Sequence, residues 1–232
     1  MPALPSLQPA DLAAVALFAG LGPEQLSSLL QQHRVMGLAA DQQLVLEQDE
    51  SQGLFLLCSG LAKVRSYSHE GDEIALAVLG PGDLCGEMAT LDAQGRRSAD
   101  VVTLVPCALA VLRAAPFAAL LRSEPLLALG LARLQARRLQ ALNRRYGLRG
   151  SDATTRLLAA LADLACHSAP NAAPTASIPA LPQRELALLA GLARETASRC
   201  LSKLRQRGMV VDTDDGGLRL VDLEPLRRRG LL

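Results

Sequence analysis

The chain has no tryptophan, only two tyrosines and three phenylalanines among 232 residues. Alanine and leucine stand in their place, which fits helices packed by aliphatic side chains and says little about chemistry. Charge of one sign is also missing: 24 Lys and Arg against 23 Asp and Glu leave +1. A global polycation is therefore excluded, and any nucleic-acid surface has to come from local clustering. No apolar run is long enough to cross a bilayer, and MPALPSLQPADLAAV lacks the charged start and apolar centre of a secretory signal. A soluble, cytoplasmic protein is the expectation. The five cysteines, Cys58, Cys85, Cys107, Cys166 and Cys200, are odd in number and scattered, with no C-x-x-C pair. Neither a disulfide framework nor a metal site is indicated, and they read as mostly buried thiols. There is no G-x-S-x-G, no P-loop, no H-E-x-x-H and no paired-carboxylate setting, so no enzyme is expected.

What the chain does have is a change of texture along its length. It is long enough for one large or two modest domains with real cores. From about Leu44 to Leu112 short apolar runs recur (LVLE, LFLLC, LAKVRSY, EIALAVL, VVTLV, ALAVL), punctuated by glycines such as Gly60, Gly71, Gly82 and Gly95. Regular short strands with glycine turns predict a closed antiparallel β domain. Ahead of it, LGPEQLSSLLQQH reads as a helix with Pro23 in its first turn.

After Pro125 the pattern becomes helical. Leu131, Gln135, Leu139, Leu142 and Tyr146 form a narrow stripe of coiled-coil width. Six arginines and no acid lie between Leu126 and Gly150, a composition that reads as a solvated flank around a dimer seam. GSDATTRLL then restarts a helix with Ser151 or Asp152 as cap. A Pro/Ala/Ser connection, CHSAPNAAPTASIPALP, separates it from a small basic unit that ends in a hairpin around Asp214, Asp215, Gly216 and Gly217.

Within that unit an apolar helix meets Gly191 and a second helix begins near Ala193, which is helix-turn-helix spacing. At about 100° per residue, Arg194, Glu195, Ser198, Arg199 and Arg205 share one face of the second helix, while Ala197, Cys200, Leu201 and Leu204 share the other. Arginine can donate two hydrogen bonds to guanine O6 and N7, and a carboxylate can accept from cytosine N4. Glu195 is the informative member, because a surface built only to bind phosphate avoids a carboxylate.

These residues resemble a family. RETASR after a glycine turn, followed by Gly208 and a wing-like hairpin, is similar to the recognition helix of the catabolite-activator and fumarate-nitrate-regulator (CRP/FNR) superfamily of bacterial transcription factors. The resemblance covers roughly residues 12 to 226. It implies an α+β fold: an N-terminal antiparallel, jelly-roll-like β-roll of the cyclic-nucleotide-binding kind with helices ahead of it (1–125), a dimerisation helix (126–150) and a winged helix-turn-helix (151–232). By the same resemblance Arg194, Glu195 and Arg199, with Thr196 between them, read a half-site, and Ser198 matches a serine used by the fumarate-nitrate branch. Pro182 stands where relatives often carry a capping threonine and Gln183 where they carry a phosphate-contacting arginine. Asp152 to Arg156, a D-x-T-x-R run, match the hinge.

The stretch CGEMATLDAQGRRSAD has a chemical logic on the same reading. Arg97 can pair with a cyclic phosphate, Ser98 can add a hydroxyl donor, and Glu87 can accept from a ribose hydroxyl. Glycine at 86 and the start of a short helix suit an approaching anion. By resemblance Gly86, Glu87, Met88, Arg97 and Ser98 form a phosphate-binding cassette. Leu142 and Asn143, with Leu139 a turn earlier, stand where relatives meet the adenine; Leu142 cannot hydrogen-bond the exocyclic amine, whereas Asn143 can donate and accept. The expectation is a homodimeric, effector-responsive regulator of operator DNA, working with RNA polymerase, with cyclic AMP or a related nucleotide as effector. A redox- or other-ligand-responsive regulator of the same fold, a thiol switch at Cys85, and a cyclic-nucleotide module controlling a partner protein without DNA remain alternatives.

Overall fold

The structure, a computed structural model, describes residues 6–50, 53–91 and 94–231. Of the opening stretch read for a targeting signal, the first five residues lie outside that set. In chain order the elements are α1 (Pro9–Ala13), α2 (Pro23–Leu30), β1 (Arg34–Leu38), β2 (Gln43–Val45), β3 (Gly53–Ser59), β4 (Ala62–Tyr67), β5 (Glu73–Leu79), β6 (Leu84–Cys85), β7 (Asp100–Thr103) and β8 (Cys107–Arg113). They continue as α3 (Ala114–Ser123), α4 (Pro125–Gly147), α5 (Ala153–His167), α6 (Gln183–Ala190), α7 (Arg194–Gln206), β9 (Val210–Asp212), β10 (Leu218–Leu220) and α8 (Glu224–Arg227). The chain divides into two compact units, one ending at Ala62 and resuming over Leu79–Ala141, the other made of Lys63–Val78 and the residues from Leu142 onward. The α+β class expected from the sequence is the observed one.

In the first unit β1, β8, β3 and β6 form an antiparallel sheet in that order, and β2 pairs with β7. Alternation sets the register: Leu54 faces Leu112 and Leu56 faces Ala110 across β3 and β8, until an irregularity between Leu57 and Ser59. The inward residues pack on Leu12, Leu29, Phe117, Leu127 and Leu131 from the helices and on Phe18 from the turn between α1 and α2. Phe18 and Phe117 meet edge to face with centroids 6.4 Å apart, so two of the few aromatic rings are placed where ring geometry helps most. Pro23 sits in the first turn of α2 as expected. The sequence pattern did not reveal β1, whose Gly37 and exposed-to-half-buried residues weaken the alternation.

In the second unit β4 and β5 form a hairpin, and α5, α6 and α7 share a core that includes Leu157, Leu161, Leu186, Leu189, Leu201 and Leu204. Asp152 caps α5: its Oδ1 accepts from Thr155 N at 3.0 Å and its Oδ2 from Thr155 Oγ1 at 2.6 Å. The β9–β10 hairpin follows α7, with Leu218 opposite Asp212 and Leu220 opposite Val210. Ile178, in the connection before α6, bridges to Leu218 and lengthens that small sheet.

The helical stripe splits. Leu131 is buried in the core of the first unit, and Gln135 is engaged with Glu87. Leu139, Leu142 and Tyr146 are 58 %, 41 % and 69 % exposed, so the later part of the stripe faces outward, while Leu126 and Leu129 are exposed near the start of α4.

Candidate nucleotide cassette and nucleic-acid interface

Short β6 delivers the chain to Gly86, whose φ of +88° belongs to the region glycine tolerates. A Cβ there would collide with the Arg97 guanidinium. Arg97 returns to this point because its backbone is held against the segment after β2: Arg97 N donates to Asp49 O at 3.1 Å and Gln48 N donates to Arg97 O at 2.9 Å. The side chain is buried. Its Nη1 donates to Gly86 O at 2.7 Å, its Nη2 donates to Gly53 O at 2.6 Å, and the guanidinium lies 5.8 Å from the Phe55 ring centroid. Burial lowers the Arg97 pKa from its ordinary value, and a guanidinium stays charged under such conditions.

Glu87 is buried as well, and its partners come from α4. Arg138 Nη1 and Gln135 Nε2 both donate to Oε1, at 2.6 and 2.7 Å, and Arg138 Nη2 reaches the carbonyl of Leu84. Two corrections follow. Arg138 is no solvated flank, because it is the counter-charge of a buried carboxylate; Arg145 is likewise turned inward, to Asp163 at 2.8 Å. The helix expected to begin near Gly86 is a single 3₁₀ turn, Met88–Thr90, too short to carry a helix dipole of any size. Met88 and Ser98 are exposed beside each other, with Ser98 Oγ 3.6 Å from Met88 Sδ. The first unit thus brings together Gly86, Glu87, Met88, Arg97 and Ser98. Leu139 is exposed on α4, and Leu142 and Asn143 are exposed in the second unit.

Gln135 and Arg138 are the residues that sequence reasoning missed. Their signal was present: a polar residue interrupts an apolar stripe, and a cation follows one turn later on the same side of the helix.

In the second unit, Gly191 takes φ +60° and ψ +41° and ends α6 in the left-handed conformation. Arg156 of α5 clamps this turn: its Nε donates to Ala190 O at 3.1 Å and its Nη2 to Gly191 O. A side chain at Gly191 would meet that guanidinium. The next helix, α7, buries Ala197, Cys200, Leu201 and Leu204, the residues whose angles predicted it. Arg194, Glu195 and Arg199 are exposed, Thr196 and Ser198 half-buried. Arg205, on the same face, pairs with Asp212 of β9 at 2.5 Å and ties the helix to the wing hairpin. Pro182 precedes α6 without a side-chain cap, and Gln183 is exposed at its start.

Cys85, next to Gly86, is buried; desolvation, with Glu87 adding to it, pushes its thiol up to about 12. Cys107 is pushed to about 11 by burial, and burial also raises half-buried Cys58 and Cys166. Among the described residues, no group of three or more His, Cys, Asp or Glu side chains is placed to hold a metal ion. No single described helix is long and apolar enough to cross a membrane.

The cyclic nucleotide-binding domain family matches residues 36–124, and the Crp-like helix-turn-helix domain family matches residues 155–229. The chain is 36 % identical over 195 residues to the cyclic AMP receptor protein of Thermus thermophilus, covering 84 % of this chain and 87 % of the relative. It is 25 % identical over 220 residues to the CRP-like cAMP-activated global transcriptional regulator of Mycobacterium tuberculosis, covering 94 % and 97 %. Among solved structures, FixK2 from Bradyrhizobium japonicum superposes with a TM-score of 0.72 at 17 % identity, over 84 % of this chain and 96 % of that one, a likeness of fold.

Proposed function

Because the chain belongs to the CRP/FNR superfamily of transcription regulators, with a cyclic nucleotide-binding domain and a Crp-like helix-turn-helix, we propose that it is a homodimer that binds a cyclic nucleotide, cyclic AMP first among them, and reads a two-fold symmetric operator. The observation that carries the proposal is α7, which is anchored by Ala197, Cys200, Leu201 and Leu204 and presents Arg194, Glu195 and Arg199 outward. Such a helix is fixed on one side and chemically equipped for base edges on the other. Thr196 and Ser198 of the same helix, and by the resemblance Gln183 at the start of α6, are the further residues proposed to contact DNA.

The cassette residues suit a sugar phosphate. A phosphate oxygen accepts a stronger hydrogen bond from a guanidinium than a peptide carbonyl does, so a ligand phosphate can take Arg97 from Gly86 O. Ser98 adds a hydroxyl, and Glu87, oriented through Oε1, keeps Oε2 for a ribose hydroxyl. Asn143 carries the donor and acceptor that suit the base. The exposed Leu139, Leu142 and Tyr146 supply the dimer seam. The naming of the Thermus thermophilus relative as a cyclic AMP receptor supports cyclic AMP. A thiol switch at Cys85 is disfavoured, since a thiol at about 12 stays protonated. RNA polymerase is the proposed partner on the promoter, and the cytoplasm the compartment.

The test is calorimetry of the full chain with cyclic AMP, cyclic GMP and cyclic di-GMP, followed by mobility shift on duplexes selected from a randomised pool. Saturable heat with one nucleotide and DNA binding that falls steeply with salt are expected. Absence of a shift with any duplex, with or without nucleotide, overturns the proposal in favour of control of a partner protein.

A further inference from the structure

Lys63 lies in β4 with 3 % of its surface exposed. Its Nζ is 2.8 Å from Glu73 Oε1 on β5 and 2.6 Å from Glu185 Oε2 on α6. Arg65, two residues along β4, meets Glu73 at 3.2 Å, and Arg184 meets Glu185 Oε1 at 3.4 Å. Burial alone raises the Glu73 pKa, but hydrogen bonding and charge from Lys63, then Arg65, outweigh it and hold that carboxyl below its ordinary value. All five residues belong to the second unit.

A flexible ammonium is an expensive choice for a buried strand position, where an aliphatic side chain packs without desolvating a charge. What the ammonium adds is direction: it joins the hairpin to one carboxylate in the first turn of α6. That carboxylate lies nine residues before Arg194, across the turn that Arg156 clamps. The hairpin is also joined by peptide bonds to the first unit at both ends, and eight residues beyond Val78 the chain reaches Gly86. The ion cluster coexists with Arg97 donating to the carbonyls of Gly86 and Gly53. An anion that takes the guanidinium removes the donor from Gly86 O, at the end of β6, which stays paired with β3.

We propose that Lys63 and Glu185 form a latch that ties α6, and through it the reading helix α7, to the β4–β5 hairpin in an arrangement of low DNA affinity. Effector binding at the cassette works against the latch. The inference rests on the reading of the chain as an effector-responsive DNA binder. Opening the latch shifts a population between two arrangements, so it raises DNA affinity without effector and leaves less for the effector to add.

The experiment uses the full chain with Lys63→Met, Glu185→Gln and the double substitution, circular dichroism confirming folding. Amide exchange is followed in α6 and β5, and affinity is measured for a duplex selected with the parent chain, without nucleotide and with cyclic AMP. Each single substitution should speed exchange in both elements and tighten nucleotide-free DNA binding about tenfold. The double should do no more than either single, as expected when both remove one interaction. Unchanged exchange in α6, or faster exchange with unchanged or weaker nucleotide-free binding, overturns the latch while DNA binding by the parent stands. A parent that enriches no duplex overturns the DNA-binding reading, and the regulatory role of the latch falls with it.

Discussion

Arg138 and Glu87 form an ion pair at 2.6 Å in which the carboxylate side chain is 2 % exposed and the guanidinium 24 %. One partner belongs to the cassette and the other to α4, the helix that carries Leu139 and Leu142 on its exposed face. Glu87 is therefore oriented by α4 rather than by its own loop. Any ligand that draws on Glu87 acts on a carboxylate whose Oε1 is already held by two donors from α4, the helix that also bonds the Leu84 carbonyl through Arg138.

Removing Arg138 leaves a buried carboxylate with Gln135 as its remaining donor from α4. Arg138→Met should destabilise the first unit by about 3–5 kcal/mol, the usual cost of breaking rather than replacing a buried pair. Glu87→Gln placed in the same chain should recover part of that loss. Urea unfolding of the parent, two singles and the double checks it; additive losses would mean that the pair is not coupled.

Arg97 is both the proposed phosphate ligand and a brace. Arg97→Ala deletes hydrogen bonds to Gly86 O and Gly53 O, each of the charged kind worth about 1.5–3 kcal/mol. The variant should fold with reduced stability and give no heat with cyclic AMP in calorimetry. Retained heat at parental affinity would remove Arg97 from the ligand site.

The two faces of α7, the Gly191 turn, a cap at Ser151 or Asp152 (the structure selects Asp152) and most strands were legible because each rests on local periodicity or turn chemistry. The grouping of Glu87, Arg97 and Ser98 was implied by the resemblance, and the structure sets Arg97 against Gly86 and Ser98 against Met88. The internal partners were not legible: Arg97 bonding to Gly53, Arg138 to Glu87 and Lys63 to Glu185 join residues 44, 51 and 122 positions apart. Composition instead suggested that the arginines of α4 face water. A run of like charge along a helix does not tell which member is turned inward, since that depends on a carboxylate supplied by another element.

The cysteines should differ in reactivity by burial. With its thiol at about 12, Cys85 is about one part in ten thousand thiolate at pH 8. Brief iodoacetamide treatment followed by mass spectrometry should label half-buried Cys58 and Cys166 before Cys85, Cys107 and Cys200. Early labelling of Cys85 would restore the thiol-switch alternative.

Asp152 gives α5 a pH-dependent start. Hydrogen bonds from the Thr155 hydroxyl and then its backbone N–H hold the carboxyl below its ordinary value. A group with a depressed folded pKa contributes stability that is complete above its unfolded pKa of about 3.9 and is lost as pH falls through the lower folded value. Asp152→Ala should therefore cost about 0.5–2 kcal/mol at pH 7. The gap from the parent should narrow in acid below about pH 4. Asp152→Asn should cap at both pH values. Urea midpoints at pH 7 and pH 3 check this; a gap that does not narrow would show that charge plays no part in the cap.

Glu195 separates reading from mere adhesion. If its carboxylate accepts from a cytosine amine, Glu195→Ala should relax preference at one symmetric pair of operator positions by about 1–3 kcal/mol. Binding to unselected DNA should tighten, because a negative charge near the phosphates is gone. Arg194→Ala should do the reverse on the second count, weakening binding and reducing the salt slope by about one. Selection from a randomised pool, compared between parent and variant over a range of salt, measures both effects. A Glu195→Ala profile that matches the parent at every position would mean that the exposed face of α7 lies along the backbone and reads no base through this residue.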